Sequence, residues 1–599
     1  MIALLKNRRE KRFVYPGAEI RFDRAADRGR GADLEGVVHQ GIETGRMRLM
    51  VAACLFGLAF SVIGGRLVQL MVLRGPGEPV AVVSAEDTPI ETRMARADIV
   101  DRNGLVLATN LPTVNLYADT RAIPERDRLR AIAVLPTLFP ELTVADLTSK
   151  MVPGRAFIYL RRNLTPSEQQ SVNDLGIPGL HFERSERRVY PAGRLVAHVV
   201  GATDVDNNGI AGLEKAFESK LTSSDQPLRL SLDIRVQHAV HRALQDSIDH
   251  FQAIGGAALV MDVDTAEVVA MVSLPDYEPE KIGAASEDAR FNRATLGVFE
   301  MGSTFKLFNT ALALDAGLKL SDSFDARHPI RIARFTITDF HPEGRWLSIP
   351  EILMYSSNLG SARMAVAVGT DRQREFLGRM GLLDAIPFEI PEVGRPLVPN
   401  PWREINTMTI SFGHGLSVTP LHLVTGVSAL ANGGLLRPPT LLLRSPETTP
   451  AGKQVLSAQN STAMRALMRL VVEAGSGRNA DVKGYYIGGK TGSAEKEGAN
   501  GGYSKSAVRT SFVGVFPMTK PRYVVMAMLD DPKAVKGTYG YRTAGWNVTP
   551  TVGRMIAEVA PILGVQPVRG DPAVQFGPQL VQQVGLRFAE PEGGRGVSR

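Results

Sequence analysis

Ser303-Thr304-Phe305-Lys306 stands near the middle of this 599-residue chain, directly after Gly302. A serine in that position predicts the start of a helix. On a helix, Lys306 lies one turn beyond Ser303 on the same face, so its amine reaches the Ser303 hydroxyl. A serine hydroxyl is a poor nucleophile until a base removes its proton. Lysine is such a base only when burial and a neighbouring cation lower its pKa. Alone, Ser-x-x-Lys equally describes a capped helix with a solvated lysine, and a chain this long contains the pattern by chance.

Two later motifs remove that ambiguity. Tyr355-Ser356-Ser357-Asn358-Leu359-Gly360 forms a polar loop between apolar helical segments. There Ser356 is expected to relay a proton to a leaving amine, Asn358 to hydrogen-bond a substrate amide, and Ser357 to act as scaffold. Lys490-Thr491-Gly492-Ser493 follows the short apolar run Tyr485–Gly489. On an edge strand it would line a cleft, with Lys490 as the second cation and Lys490 and Thr491 holding a substrate carboxylate. Gly492 would leave room for substrate, and the amides of Ser303 and Ser493 would form an oxyanion hole. In this order, over one domain's length, the three motifs describe a serine acyl-transferase in which lysine activates the nucleophile.

The chain is too long for one core, so two to four domains are expected. A net charge of +7 raises the question of nucleic acid, but the basic residues are dispersed and no recognition motif accompanies them, so no nucleic-acid partner is expected. The single cysteine, Cys54, excludes an intramolecular disulfide, and the ten histidines show no metal-ligand spacing. No cofactor or metal is expected, and His414 and Asp530-Asp531 are taken as loop and turn residues.

Leu49 to Gly65 contains no charged residue, and an apolar continuation past Arg66 and Gln69 reaches Leu73. That length suits a membrane span. The 48 residues before it are too many for a signal-peptide n-region, and no small-residue cleavage site follows. Arg46 and Arg48 abut the span on its N-terminal side, which places the N-terminus in the cytoplasm. Residues 1–48 are thus read as a cytoplasmic segment, 49–73 as a single transmembrane helix, and the rest as exported.

Residues 74–225 form a first exported region. Ala97 to Ala108 predicts a hairpin about Asn103-Gly104. Residues 120–175 suggest helical pieces, Arg187 to Gly193 a turn-rich segment, and Gly201 to Glu214 an approach to a helix ending near Leu221. Residues 226–564 open with a strand at Leu228–Leu232, a helix at Val236–Ile248 and a hairpin of Ala257–Val263 with Glu267–Leu274. Strands return at Tyr486–Ile487, Ser511–Phe516 and Tyr523–Leu529, followed by a helix at Val552–Leu563. Strands at both ends with helices between predict an α+β fold whose sheet gathers distant segments. The Pro- and Gly-rich tail, 565–599, is expected to be flexible.

The motifs resemble those of class B penicillin-binding proteins, most closely the division-specific FtsI type. Asp101-Arg102-Asn103-Gly104, Arg188-Val189-Tyr190-Pro191, Gly209-Ile210-Ala211-Gly212-Leu213-Glu214 and Gly413-His414-Gly415-Leu416-Ser417-Val418-Thr419-Pro420 extend the likeness. The resemblance implies an elongated pedestal (dimerisation-like) domain followed by a transpeptidase domain with an antiparallel sheet flanked by helices, as in serine β-lactamases. It implies a peptidoglycan D,D-transpeptidase that cross-links stem peptides at the septum of the inner membrane. β-Lactam antibiotics would acylate its serine, and an FtsW-like glycan polymerase and divisome membrane proteins would be its partners. Met301, Leu307, Ser493 and the loop Tyr539 to Asn547 depart from the family pattern. The alternatives are an elongation-type relative, told apart by side-wall rather than septal localisation, a class D-like β-lactamase or β-lactam sensor, told apart by rapid penicillin turnover, and a divisome scaffold with a vestigial site.

Overall fold

The computed structural model describes residues 50–65, 96–332, 335–497, 502–567 and 576–586. Residues 50–65 form a helix whose apolar side chains are exposed. Among the described residues no helix is long and apolar enough to cross a membrane. The remainder of the expected 49–73 span, and the 1–48 segment, lie outside the described residues. Residues 1–92 and 93–599 are two separate units, and everything below concerns the second.

Its centre is a five-stranded antiparallel sheet in the order Gly488–Glu497, Tyr503–Phe516, Tyr523–Asp530, Gly255–Asp262, Val268–Leu274. The third of these shows why its sequence is apolar at almost every position. Side chains alternate across a strand, and here both faces are covered. Val524, Met526 and Met528 pack into one core, whereas Val525, Ala527 and Leu529 pack into the other. The helices Ile234–Phe251 and Val548–Ile562 close the second face, and Lys306–Asp315, Pro420–Ala431 and Ala458–Glu473 build the first. In Ile234–Phe251 the residues Val236, Val240, Ala243 and Leu244 recur at helical spacing and are buried, and the Asp233 carboxylate caps the start by accepting from the Arg235 amide. The expected strand at Tyr486–Ile487 begins two residues later, so the third motif itself is strand, at the sheet edge as anticipated.

The pedestal has its own small core of Leu116, Leu135, Phe139, Leu147, Leu160 and Leu164. Its long strand, Val106–Ala118, pairs with Ile158–Leu164 on one side and Leu180–Val189 on the other. Both partners correct the sequence expectation. Ile158–Leu164 is strand where helical pieces were expected, and Arg187 to Val189 continue a strand where a turn was expected. Leu180–Val189 is mostly polar and half exposed, so it lacks the apolar alternation that marks a strand; pairing of its whole length with Thr109 to Ala118 holds it extended.

The Asn103-Gly104 hairpin forms as expected, with Ile99 opposite Ala108. Its buried Asp101 carboxylate accepts from the amides of Asn103 (2.7 Å) and Leu105 (2.9 Å), and from Ile234 N at 3.2 Å. Asn103 Nδ2 donates to Asp233 Oδ2 at 3.1 Å. Leu228–Arg229 adds a parallel strand to Ile99–Val100. The hairpin therefore ties the smaller domain to the start of the helix Ile234–Phe251, and Ile99, Leu107 and Tyr190 share the larger domain's core.

The tail differs from its expected flexibility at residues 576–586. Phe576, Val584 and Leu586 are buried, and the helix Pro578–Val584 packs on Ala458–Glu473. Apolar residues three and four apart give this short helix a face that Pro and Gly elsewhere in the tail obscure.

Candidate active site

The turn Gly302–Phe305 runs directly into the helix Lys306–Asp315, so the first motif straddles a tight turn and the first helical residue. Ser303 is half-buried and Lys306 lies beneath it, fully buried. The second motif sits where the helix Ile349–Tyr355 ends. Ser356 takes a left-handed conformation (φ 60°, ψ 40°), a backbone reversal uncommon for a residue with a Cβ. The Ser357 hydroxyl then caps the helix Asn358–Val368 by accepting from Gly360 N at 3.0 Å. That reversal turns the Ser356 carbonyl, the Ser356 hydroxyl and the Asn358 side chain toward Lys306.

Lys306 Nζ lies 2.9 Å from Ser303 Oγ, 2.7 Å from the Ser356 carbonyl oxygen, 3.2 Å from Ser356 Oγ and 2.7 Å from Asn358 Oδ1. Asn358 Nδ2 donates to the Thr338 carbonyl at 3.0 Å, which fixes the orientation of its amide. Lys490 Nζ donates to Ser356 Oγ at 3.0 Å, to the Thr491 carbonyl at 3.1 Å and to Thr491 Oγ1 at 3.2 Å. Five residues from three distant segments, Ser303, Lys306, Ser356, Asn358 and Lys490, thus share one hydrogen-bond network.

Electrostatics matches the geometry. Burial pushes Lys306 well below the ordinary lysine range, the charge of Lys490 lowers it further, and Asp339 acts the other way. Lys490 is brought down to about 7 by burial. A neutral amine has two hydrogens and one lone pair. Around Lys306 the Ser356 carbonyl and the Asn358 amide oxygen are pure acceptors, each at 2.7 Å, and they take the two hydrogens. The lone pair is left for the hydroxyl hydrogen of Ser303. This arrangement can draw a proton from Ser303 and pass it by way of Ser356, whose hydroxyl lies between the two amines.

Two third-motif residues also have packing roles. A Cβ at Gly492 would lie 2.4 Å from the Met301 carbonyl oxygen and 2.5 Å from Ser511 Oγ. The fold itself therefore requires a glycine here, because the strand presses against the turn that carries Ser303. The Ser493 hydroxyl accepts from Ala544 N at 3.1 Å and so braces the loop containing Tyr539 to Asn547. Thr491 joins the network through Lys490 and also pairs with Ser476.

Asp339 was not anticipated. Its carboxylate accepts from Ser357 Oγ at 2.7 Å, from Leu359 N at 2.9 Å and from Asn358 N, and so holds the second motif in place. It lies just past the hairpin strand Phe335–Ile337, and no local pattern in Ile337-Thr338-Asp339-Phe340 marks it. His414 packs beside Phe412 and Tyr503, pushed down to about 4 by burial and by the charge of Lys306.

Residues 256–549 match the penicillin binding protein transpeptidase domain, and residues 91–233 match the penicillin-binding protein dimerisation domain. The chain is 39% identical over 485 residues to a probable peptidoglycan D,D-transpeptidase FtsI of Caulobacter vibrioides, covering 79% of this chain and 82% of that protein. It is 29% identical over 566 residues to the peptidoglycan D,D-transpeptidase FtsI of Escherichia coli, covering 88% and 94%. Penicillin binding protein 3 of Mycobacterium tuberculosis has the same fold, with a TM-score of 0.62 at 24% identity over 80% of this chain and 98% of that one. With a pedestal joined to a transpeptidase sheet, and matches that run through both, the chain belongs to the class B penicillin-binding proteins of the FtsI type, a family of peptidoglycan D,D-transpeptidases.

Proposed function

We propose that this protein cross-links peptidoglycan at the division septum through an acyl-enzyme on Ser303. Lys306 takes the hydroxyl proton as Ser303 Oγ bonds to the carbonyl carbon of a donor D-Ala–D-Ala. The amides of Ser303 and Ser493 hold the developing oxyanion. When the C–N bond breaks, the proton passes through Ser356, with Lys490 behind it, to the departing D-Ala amine. An amine of a neighbouring stem peptide then attacks the ester, its proton returns to Ser303, and the cross-link is complete. Asn358 orients the donor amide, and Lys490 and Thr491 hold its carboxylate. A β-lactam, whose amide lies in a strained ring, would acylate the same serine.

The observation that carries this reading is the 2.9 Å approach of a buried amine, already supplied with two pure acceptors, to Ser303 Oγ. The septal role, the membrane anchor at 49–73 with a cytoplasmic N-terminus, and partnership with an FtsW-like polymerase and divisome proteins are supported by kinship with FtsI proteins and by the uncharged run Leu49 to Gly65 flanked by Arg46 and Arg48. The test is intact-protein mass spectrometry of the detergent-solubilised full chain after exposure to a penicillin. One long-lived adduct on Ser303 is expected, absent from Ser303→Ala. An adduct elsewhere, or rapid release of hydrolysed drug, would overturn it.

A further inference from the structure

Ser476 belongs to none of the three motifs. It follows the helix Ala458–Glu473, and its hydroxyl lies 2.6 Å from Thr491 Oγ1. Thr491 Oγ1 also lies 3.2 Å from Lys490 Nζ, which donates. Either hydroxyl can donate across this contact. One hydrogen of the pair serves it, and the other is left with no acceptor among the described residues. Ser476 is the exposed end of the pair, and Lys490 polarises its inner end.

The residue is also held firmly. A Cβ on Gly475 would lie 2.7 Å from the Met354 carbonyl oxygen, in the helix leading to the second motif. One on Gly477 would lie 3.1 Å from Val472 Cγ2 and 3.3 Å from Phe512 Cε2 in the sheet. Ser476 is therefore fixed between two close backbone contacts, while Asn479 Nδ2 donates to the Gly545 carbonyl at 2.8 Å and ties this segment to the loop that Ser493 braces.

We propose that Ser476 is a substrate-binding residue whose hydroxyl, together with that of Thr491, receives the terminal carboxylate of the donor stem peptide and the equivalent carboxylate of a β-lactam. This rests on the acyl-transfer reading of the site and names a residue outside the motifs that define it. A carboxylate offers about four lone-pair sites. Thr491 alone is nearly buried and has one hydrogen to give; the exposed Ser476 supplies a second donor at the mouth. An anion seated there also favours the charged form of Lys490, so ligand binding and the positive charge behind it reinforce each other.

The test compares acylation of the full chain by a penicillin free acid with acylation by its methyl ester, for wild type, Ser476→Ala and Ser476→Thr. A hydrogen bond to a charged acceptor predicts roughly a tenfold to hundredfold loss of the second-order acylation rate for the acid in Ser476→Ala. The ester should lose less than about twofold by the same reasoning, since it carries no charge to bind, and Ser476→Thr should restore the acid. Equal losses on both compounds would make Ser476 a brace for Thr491 and overturn the assignment, as would no loss on either. If wild type takes no adduct on Ser303 from the acid, the acyl-transfer reading falls and the assignment falls with it.

Discussion

Arg96 and Arg188 lie together under the pedestal, and Lys306 and Lys490 lie together under the cleft; in each pair two cations are withdrawn from water. The pairs are resolved in opposite ways. Between the arginines stands Glu214, fully buried, accepting from Arg96 Nε at 2.6 Å and from Arg188 Nε at 2.7 Å. Their other donors reach the carbonyls of Glu214, Ala97, Asn207 and Arg96, the Asn110 amide oxygen, and, from Arg96, the half-exposed Glu218 carboxylate at 2.9 Å. Between the lysines stands a hydroxyl, Ser356, and among the described residues no carboxylate comes within 4 Å of either amine. Guanidiniums cannot escape burial by losing a proton, so the fold must supply an anion. Ammoniums can, and the cleft withholds the anion so that they do. For Lys490 the sign is explicit. Its folded value near 7 lies below the ordinary lysine value of 10.5, so unfolding takes up a proton between those pH values. Stability therefore rises with pH across that window, and the full cost of burying the lysine is borne below it. One region uses burial for cohesion, and the other accepts that cost to keep a base.

The contrast breaks most visibly at Lys306. In Lys306→Arg the cation is retained and the base is lost. Acylation of Ser303 by penicillin, followed by intact-protein mass spectrometry, should fall by about 10²- to 10⁴-fold. A variant within tenfold of wild type would mean that the position needs a charge rather than a lone pair, and the two regions would then be alike.

The pedestal offers the reverse experiment. Glu214→Gln keeps the shape and removes the anion the two arginines share, leaving Arg188 facing an amide and Arg96 with Glu218 alone. Denaturant unfolding should register a loss of about 3–5 kcal/mol, the cost of breaking a buried ion pair from one side. The acylation rate of the protein that remains folded should be unchanged, because Glu214 makes its contacts with pedestal residues. A loss below about 1 kcal/mol would show that water reaches the guanidiniums and that the triad is not the sealed counterpart of the cleft.

How far these features could be read from sequence follows from where their causes lie. The approach of Lys306 to Ser303 was legible because three residues separate them at the start of a helix, and the strand of Lys490 because a short apolar run leads into it. The helix Ile234–Phe251 and the hairpin Gly255 to Leu274 were legible from their apolar periodicity. Leu180–Val189 was not, because its strand character comes from a partner some seventy residues upstream. The packing reason for Gly492 was hidden because the clash it avoids is with Met301 and Ser511, neither of which is a sequence neighbour. Asp339 was invisible for the same reason: nothing around it resembles a site until the chain folds it under Ser357 and Asn358.

Asp339 also gives the finest test of the contrast, because it is the one anion that acts on the cleft lysines, and it does so without touching them. It raises the pKa of Lys306 against burial and against Lys490. Acylation needs Lys306 neutral, so the rate climbs with pH as that proton leaves. In Asp339→Asn the opposing charge is gone, Lys306 gives up its proton more readily, and the acidic limb of the pH–rate profile should move to lower pH. The plateau should drop as well, by roughly two- to tenfold, since an amide cannot accept from Ser357, Asn358 and Leu359 as a carboxylate does. The two effects have different causes and separate cleanly in one titration. A lower plateau with an unmoved limb would reduce Asp339 to a brace for the second motif. A limb displaced to higher pH would mean that the titrating base is not Lys306, and the asymmetry between the paired arginines and the unpaired lysines would lose its chemical meaning.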